Sequence, residues 1–429
     1  MHYLILFLAV LLSACVGRRA QFSGPPTLQV RFDSAEAAAE LRWQRVYKRD
    51  FSHYEIQRSE AGEFAPVGMV DNADDTLFVD RGLHADTRYR YRVLTYYGKK
   101  TEKKVSLQHW ASTAVEGGIH RFVNTWNLGS DDFLPTRIVI NRRGTLAVVG
   151  AGAGHIERFD RTGNPLSPWE FTAEDLACLE TGTLDGPVLA LDSRDHLYVV
   201  YNVLRPGRAP EAFWSKFDRE GRTVWTRPLQ GLFARHIAID GKDRVFIESI
   251  TQLQQFDTDG THITQHDIPP LMVASLRFWK DDFAALVEPM EGLSSRWQAP
   301  KLVVYQGLQR DLEGRVIGRE PLSEDDAGSG LLRRPTDFAV DEGSERAFVV
   351  NAGRNRIEVF HNRRYLTRWG REGKGSGAFR LSGAATVIEA LATSTTARRQ
   401  VVAGGIARNA EGYVYVADTF NNRIQKFQP

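Results

Sequence analysis

Two stretches near the end of the chain repeat one pattern, and this repetition restricts the possible folds more than any other feature. In residues 412–427 a run of strand-forming residues leads through a short polar turn to Asn-Arg-Ile at 422–424, with phenylalanine three residues later. Residues 347–360 have the same order, with Asn-Arg-Ile at 355–357. β-Branched and aromatic residues favour strands, whereas Asn, Asp and Gly favour turns. Each copy therefore predicts a small antiparallel meander, which has to pack against further copies because it cannot bury both faces alone.

Four earlier segments repeat this layout more loosely, each with an apolar strand, a polar turn, a second apolar strand and a third strand that ends in an aromatic residue. The closing aromatic residues of the six units are Phe159, Phe217, Phe256, Tyr305, Phe360 and Phe427. Their spacing of roughly 40 to 70 residues is typical of repeat architectures with insertions. Closing six such units into a ring removes the exposed sheet edges that single meanders would leave.

The two C-terminal copies resemble the NHL repeat, which is the blade unit of a family of β-propellers. The resemblance rests on the valine-rich strand, the Asp or Asn that follows it, and the Asn-Arg-Ile tripeptide with its later phenylalanine. It implies a six-bladed NHL-type β-propeller over residues 119–429. Because the chain stops at the third strand of the sixth blade, we expect residues 120–128 to pair beside 423–427 and supply the fourth strand.

Residues 27–113 predict a separate, small all-β domain, since short alternating strands recur at the spacing of a sandwich. Trp43, the strand at 54–58 and the tyrosine-rich strand at 89–93 together resemble the core of a fibronectin type III domain. The resemblance implies that Tyr89 hydrogen-bonds to the backbone near Leu83. The predicted fold class is therefore all-β, with a fibronectin type III-like β-sandwich followed by a six-bladed NHL-type β-propeller.

The N-terminus predicts export and lipid anchoring. Its apolar run at 3–12 is too short to span a bilayer, and Leu-Ser-Ala-Cys at 12–15 resembles the lipobox of bacterial lipoproteins. The resemblance implies a lipoprotein signal peptide at 1–14 and acyl chains on Cys15 at the start of a tether at 15–26. Val16 stands where an inner-membrane retention signal has Asp, which favours the outer membrane. An ordinary secretory signal is the alternative.

A metal site would be expected on the innermost strands, because amidating lyases that resemble NHL propellers hold zinc there with histidines. The matching positions are Thr136, Pro187, His236, Thr336 and Gly404. Only His236 could bind zinc, and a single imidazole does not make a site. Asp337 is the one acidic residue just inside such a strand, whereas the acids that end these strands (Asp192, Asp240 and Asp341) are expected to cap turns. We therefore expect no metal and no cofactor, with His236 and Asp337 as the only candidates.

The overall pattern favours a non-enzymatic, lipid-anchored binding or scaffold protein of the bacterial cell envelope, which recognises a protein or polymer partner at the propeller mouth. Its 55 Lys and Arg nearly balance its 53 Asp and Glu, so nucleic acid is not an expected partner. Trp214, Trp279 and Trp297 are candidate partner anchors, with packing between blades as the alternative for each. The alternative function is a metal-dependent hydrolase or lyase working in the channel.

Overall fold

The protein is described by a computed structural model that covers residues 24–33, 36–60, 62–85, 87–98, 100–101, 104–105, 107–129, 133–151, 155–170, 183–204, 207–249, 252–268, 272–288, 300–305, 314–317, 331–361, 364–382 and 403–428. Cys15, the predicted signal peptide at 1–14, most of the predicted tether and Trp297 lie outside these residues. Within the described ranges no helix is both long and apolar enough to cross a membrane. The chain divides into two compact units, which are described in turn.

The first unit consists of two sheets and a short hairpin. Its strands are β1 (Leu28–Asp33), β2 (Ala38–Trp43), β3 (Phe51–Ser59), β4 (Ala65–Val70), β5 (Leu77–Arg81), β6 (Tyr89–Tyr97), β7 (Lys100–Thr101), β8 (Lys104–Val105), β9 (Gln108–Ala111) and β10 (Val115–Gly117). One sheet has the order β1-β2-β5, and the other has the order β10-β6-β3-β4 with β9 also paired to β6. The hairpin is β7-β8.

The core of the first unit lies between these two sheets. Trp43 of β2 and Tyr54 of β3 meet edge to face, with ring centroids 5.3 Å apart. The hydroxyl of Tyr54 accepts a hydrogen bond from the backbone N–H of Val46 at 3.0 Å. The hydroxyl of Tyr91 donates to Asp80 at 2.6 Å. Buried tyrosines thus satisfy their polar ends while their rings fill the core, and the bond expected from Tyr89 stays a prediction.

The second unit is built from six four-stranded antiparallel sheets in its described part, numbered 1 to 6 along the chain. The first strand in the chain, β11 (Phe122–Asn127), belongs to sheet 6. Sheets 1 to 3 contain β12 (Pro135–Ile140), β13 (Leu146–Gly150), β14 (His155–Phe159) and β15 (Pro165–Glu170) in sheet 1; β16 (Thr183–Leu191), β17 (Leu197–Leu204), β18 (Glu211–Phe217) and β19 (Thr223–Leu229) in sheet 2; and β20 (His236–Ile239), β21 (Val245–Glu248), β22 (Gln252–Phe256) and β23 (His262–Asp267) in sheet 3. Sheets 4 to 6 contain β24 (Met272–Trp279), β25 (Asp282–Glu288), β26 (Lys301–Tyr305) and β27 (Gly314–Ile317) in sheet 4; β28 (Pro335–Asp341), β29 (Arg346–Asn351), β30 (Arg356–His361) and β31 (Arg364–Trp369) in sheet 5; and β32 (Ile406–Arg408), β33 (Val414–Asp418) and β34 (Arg423–Phe427), together with β11, in sheet 6. Two 3-10 turns occur at Ala352–Arg354 and Thr419–Asn421.

Apolar side chains fill the space between neighbouring sheets. Between sheets 1 and 2, for example, Val149 and Ile156 pack in one buried cluster with Tyr201 and Phe217. A sheet that is covered on both faces needs apolar residues on both sides of each strand. This is why the inner strands have continuous apolar runs such as Leu-Ala-Val-Val-Gly in β13, all of it buried.

The first strands of the six sheets form a closed ring. Each of β12, β16, β20, β24 and β28 contacts the first strand of the next sheet, and β32 of sheet 6 returns to contact β12 of sheet 1. Face-to-face sheets around a common axis are the arrangement of a β-propeller. The first strands therefore line the central channel, and they are called the innermost strands below.

The two ends of the second unit meet in sheet 6. Strand β11 pairs antiparallel with β34, and the register sets Phe122 opposite Phe427 and Trp126 opposite Ile424. This confirms the predicted pairing of residues 120–128 with the end of the chain. Strand β11 supplies the fourth strand of the sheet because the C-terminal segment contributes only three.

The Asn-Arg-Ile signature fixes turns and links neighbouring sheets. Asn355 and Asn422 follow the two 3-10 turns and take left-handed backbone conformations, with φ of 50° and 49°. The side-chain oxygen of Asn422 accepts from the N–H of Leu134 at 3.1 Å, just before sheet 1 begins. That of Asn355 accepts from the N–H of Leu381 at 2.6 Å. Asn suits this position because it tolerates left-handed geometry and carries an acceptor.

Candidate functional site

Strand register places one residue of each sheet at the same level of the channel. Its members are Arg137, Val188, His236, Ser275, Asp337 and Gly405. These residues lie three positions before the last paired residue of the innermost strand in sheets 1, 2, 3 and 6, and four positions before it in sheets 4 and 5. Four of the six are polar or charged, and they are buried. The interior of the channel is therefore polar at this level.

The sequence-based alignment of these positions was wrong by one residue in several sheets. Thr136 and Thr336 had been matched to His236, whereas Arg137 and Asp337 lie at its level. The physical reason is a register shift near the start of the innermost strands, seen between Pro135 and Arg137 and between Pro335 and Asp337. Strand β20, which carries His236, has no such shift. A bulge adds a residue without changing the apolar alternation that follows it, so the sequence gives no sign of it.

Asp337 is the centre of a buried network. Its carboxylate accepts a hydrogen bond from Ser275 Oγ at 2.6 Å, from Arg277 Nη2 at 3.1 Å to each oxygen, and from the N–H of Ile406 at 3.0 Å. Burial raises the pKa of Asp337, but the guanidiniums of Arg277 and Arg137 outweigh it and hold the pKa below its usual value. The carboxylate is therefore ionised, and it joins sheets 4, 5 and 6.

Arg137 crosses the channel from sheet 1 to sheet 4. Its Nη2 donates to the carbonyl of Ala274 at 3.3 Å, and its Nη1 donates to the carbonyl of Thr136 at 3.1 Å. Burial lowers the pKa of Arg137, and the nearby Asp337 carboxylate opposes that effect. Because sheets 1 and 4 stand opposite each other in a ring of six, the guanidinium occupies the middle of the channel.

His236 lies beside this guanidinium and is held by a backbone carbonyl. Its Nε2 is 2.8 Å from the carbonyl oxygen of Val273, so Nε2 carries the proton. Burial, together with Arg137 and Arg235, lowers the pKa of His236 to about 3. The described residues contain no group of three His, Cys, Asp or Glu side chains that could hold a metal ion. His236 and Asp337 thus lie at one level of the channel, and each is close enough to the Arg137 guanidinium to be influenced by its charge, which repels a cation.

Glu248 is a buried carboxyl group that sequence reasoning missed. It stands opposite His236 in the pairing of β20 with β21, and it is 0% exposed. Neither of its side-chain oxygens has a hydrogen-bond partner among the described residues. Burial raises the pKa of Glu248 to about 8 against the effect of Arg235, so the group is mainly protonated at neutral pH. The sequence signal for this residue was a glutamate directly after Val-Phe-Ile in β21, because the equivalent positions in the second strands of the other sheets are apolar.

An open cavity lies where the innermost strands end and turn into the second strands. It has a volume of about 540 Å³ and is called the mouth below. Four half-buried apolar side chains form its floor: Ile140, Leu191, Ile239 and Phe278. Each comes from the end of a different innermost strand, in sheets 1 to 4. The mouth therefore has an apolar floor that is built on rigid strands.

Hydrogen bonds between successive turns hold the rim of the mouth. The carboxylate of Asp195 accepts from the N–H of Arg142 at 3.2 Å, which links sheets 1 and 2. Asp243 accepts from the N–H and the hydroxyl of Ser193, at 2.7 and 2.6 Å, which links sheets 2 and 3. Both aspartates have left-handed backbones, with φ of 63° and 60°. Glycine would fit this geometry more easily, so the aspartates are explained by the bonds that their side chains make.

The rim is acidic. Its carboxylates are Asp192, Asp195, Asp240, Asp243, Asp281 and Glu342, whereas its cations are Arg142 and Lys280. As predicted, Asp192 and Asp240 cap their own turns: Asp192 accepts from the N–H of His196 at 2.9 Å, and Asp240 accepts from that of Arg244 at 2.8 Å. The ammonium of Lys280 pairs with Glu345 at 3.0 Å. Asp240 also pairs with Arg244 at 2.6 Å, and Asp192 contacts the imidazole of His196 at 2.8 Å. The excess negative charge of the rim therefore comes from Asp195, Asp243, Asp281 and Glu342.

The tryptophan predictions have different outcomes. Trp214 is 1% exposed and packs in the core, with ring centroids 4.6 Å from Trp225 and 4.9 Å from Phe256. This corrects its predicted role as a partner anchor, because a residue packed between sheets 2 and 3 has no face for a partner. Trp279 is half-buried at the end of β24, next to the rim residue Lys280, and packs against the cluster between sheets 4 and 5.

The fold and the closed ring define an all-β protein of the β-propeller class. No protein-family model matches the sequence, and no curated protein matches it. Similar solved structures include virginiamycin B lyase from Staphylococcus aureus, at 11% identity and a TM-score of 0.40, over 71% of this chain and 98% of that one. They also include a putative phosphatase from Bacteroides thetaiotaomicron, at 10% identity and a TM-score of 0.45, over 94% and 97%.

The Cps50 (Swd1) β-propeller domain of Myceliophteria thermophila is similar at 9% identity and a TM-score of 0.40, over 72% of this chain and 99% of that one. The named structures thus include a lyase, a putative phosphatase and a β-propeller domain. One fold supports many unrelated functions, so nothing about activity is transferred from them.

Proposed function

We propose that this chain is a non-enzymatic, lipid-anchored binding or scaffold protein of the bacterial cell envelope that recognises a protein or polymer partner at the mouth. The observation that carries the proposal is the contrast between the two levels of the channel. The mouth is open, with an apolar floor and a rim braced from turn to turn. The interior is filled by the network of Arg137, Asp337 and their partners. Rigid loops on a closed ring suit recognition.

The six sheets are proposed to be the blades of a six-bladed NHL-type propeller at 119–429. Support comes from the closed ring of innermost strands and from the shared turn geometry of the two Asn-Arg-Ile copies. The preceding unit at 27–113 is proposed to be a fibronectin type III-like domain. Support comes from its two facing sheets with Trp43 and Tyr54 between them.

A metal-dependent hydrolase or lyase is the second candidate, and the channel chemistry disfavours it. Zinc needs several unprotonated imidazoles or thiolates that converge on one point. Among the described residues, His236 supplies the single imidazole at this level of the channel, and the Arg137 guanidinium lies near it.

The test measures metal and partner on the same material. The full chain is purified from its native membrane in detergent, with and without a chelator, and its metal content and stoichiometric partners are determined. We expect a discrete envelope partner that survives chelation. A divalent metal bound in stoichiometric amount and lost in His236→Ala, with the partner absent, would instead establish the channel enzyme.

Lipid anchoring has a separate test, because Cys15 and the residues around it lie outside the described part of the chain. Cells that express the chain are labelled with a palmitate analogue, and membranes are separated by density. We expect label on the wild-type chain in outer-membrane fractions and no label on Cys15→Ser. Unlabelled wild-type protein released with the soluble fraction would show an ordinary secretory signal.

A further inference from the structure

The charge and the shape of the mouth together restrict what it can receive. Its apolar floor is ringed by six carboxylates and two cations. One of those cations, Lys280, already pairs with Glu345. An anionic polymer or an acidic peptide would be repelled by such a rim, and a purely apolar partner would leave the carboxylates desolvated without a counter-charge.

Two rim carboxylates are well placed to meet a partner. Asp281 is exposed at the tip of the turn between β24 and β25 and lines the mouth. Glu342 is exposed in the neighbouring turn of sheet 5, where one of its oxygens accepts from the N–H of Lys280 at 2.9 Å. That bond fixes the direction of the Glu342 side chain. The other carboxylate oxygen keeps its capacity to accept a hydrogen bond.

We propose that the mouth binds an extended segment of a partner protein through a lysine or arginine side chain. The aliphatic stem lies on the floor of Ile239 and Phe278, and the cation meets Asp281 and Glu342. Long cationic side chains combine these two properties, an apolar stem and a charged head. Charge-assisted hydrogen bonds to carboxylates then fix the orientation. The inference rests on the proposed binding function and adds the chemistry of the partner.

The experiment uses the full chain in detergent and three fluorescein-labelled peptides with the same Ser and Thr frame. The first peptide has two central lysines, the second has glutamines and the third has glutamates at those positions. Binding is followed by fluorescence anisotropy at about 50 and about 300 mM salt. The test variant is Asp281→Asn combined with Glu342→Gln. The matched control is Glu170→Gln, an exposed acid at the end of β15, which lies at the opposite end of its sheet from the mouth.

We expect only the lysine peptide to bind, with affinity that falls at the higher salt concentration. The double substitution should weaken it by about tenfold or more, whereas Glu170→Gln should leave it unchanged. Equal binding of the glutamine or glutamate peptide, no binding of the lysine peptide, or an unaffected double variant would each overturn the cationic occupant.

The same outcomes separate this inference from the proposed function. If an envelope partner contacts the mouth through a segment without lysine or arginine, the cationic occupant is wrong and the binding function stands. If the lysine peptide binds only where two copies of the chain associate, the occupant of the mouth is a second copy, and the inference is also wrong. Analytical ultracentrifugation of the same samples distinguishes that case.

Discussion

Asp337 is the single residue on which the channel network depends. It is 0% exposed and is the counter-charge for Arg277 and Arg137, which come from two other sheets. Isolating a buried charge costs far more than a surface pair contributes, because the remaining ion has neither water nor a partner. The network therefore links neighbouring sheets, and its contribution is best measured as a change in the free energy of unfolding.

Asp337→Ala should lower the free energy of unfolding by about 3 to 5 kcal/mol, since it leaves the buried guanidinium of Arg137 and the half-buried guanidinium of Arg277 without their carboxylate. Urea denaturation followed by tryptophan fluorescence measures the effect. Asp259→Asn is the control, because Asp259 is exposed in a turn of sheet 3 and should change the value by less than about 0.5 kcal/mol. Equal changes in the free energy of unfolding for the two variants would show that the network does not stabilise the fold.

Ionisation of the buried Glu248 should make the folded chain less stable as the pH rises. Its pKa is about 8 in the folded chain against an ordinary value of 4.5, so between those values the folded state holds a proton that the unfolded state has released. Stability contributed by this group is therefore present below pH 4.5 and is lost as the pH rises to about 8. The slope is about 1 kcal/mol per pH unit. Glu248→Gln keeps the shape of the side chain but cannot ionise, so the free energy of unfolding, measured by denaturation between pH 5 and 8, should depend less on pH than in the wild type. An unchanged dependence on pH would contradict a raised pKa at Glu248.

At the scale of elements, strand β11 determines whether the ring stays closed. Trp126 of β11 is 5% exposed, with ring centroids 5.3 Å from Tyr415 in sheet 6 and 5.8 Å from Phe159 in sheet 1. It also covers Gly163, where a Cβ would lie 2.2 Å from its indole nitrogen. One side chain thus packs the closing strand onto two sheets.

Trp126→Ala should cost about 3 to 5 kcal/mol, because it empties a large buried site at the closure. Amide exchange should then rise first in β11 and β34. Val123→Ala on the same strand is the matched control, since Val123 is 45% exposed and its removal leaves no cavity. If the exchange increase were spread evenly over all six sheets, closure by β11 would not be the local weak point.

A buried histidine next to β11 makes the closure sensitive to acid. His120 is 1% exposed and stacks on Trp369 at 5.2 Å, and burial lowers its pKa to about 3. Its ordinary pKa is 6.5, so the unfolded state binds the additional proton between those values. Stability is therefore lost as the pH falls from 6.5 toward 3. His120→Phe keeps a stacked ring and should unfold at lower pH than the wild type in an acid titration; His236 remains to give part of the acid response.

Much of the element layout could be predicted because it follows from local patterns. Five of the six closing aromatics end third strands as expected, and Phe360 lies one residue before the end of its strand. The pairing of 120–128 followed from a sheet that was one strand short. The side chains that come together in the channel could not be predicted from the sequence in the same detail. Bulges moved Arg137 and Asp337 by one position, and an arginine in a strand does not reveal that its head is buried across the ring. The links made by Asp195 and Asp243 between turns join residues about 50 positions apart, which no local pattern encodes.

At the scale of the whole molecule, the closed ring separates the layers that hold the fold from the mouth, which is the proposed recognition surface. The apolar layers and the buried network hold the six sheets, so the turns at the mouth are free to vary without loss of the fold. The mouth combines a floor from four sheets with a rim that is held by hydrogen bonds from backbone N–H groups to side-chain carboxylates. A surface of this kind is already in its binding shape, which reduces the ordering cost when a partner binds.

The most direct test of recognition at the mouth is site-specific photo-crosslinking in intact cells. A photoreactive amino acid is placed at Arg142 on the rim or at Glu170 at the opposite end of sheet 1, both of which are exposed. Crosslinked products are identified by mass spectrometry. If the mouth is the recognition surface, one discrete envelope partner is captured from Arg142 and is absent from Glu170. Capture of that partner from Glu170 alone would contradict recognition at the mouth.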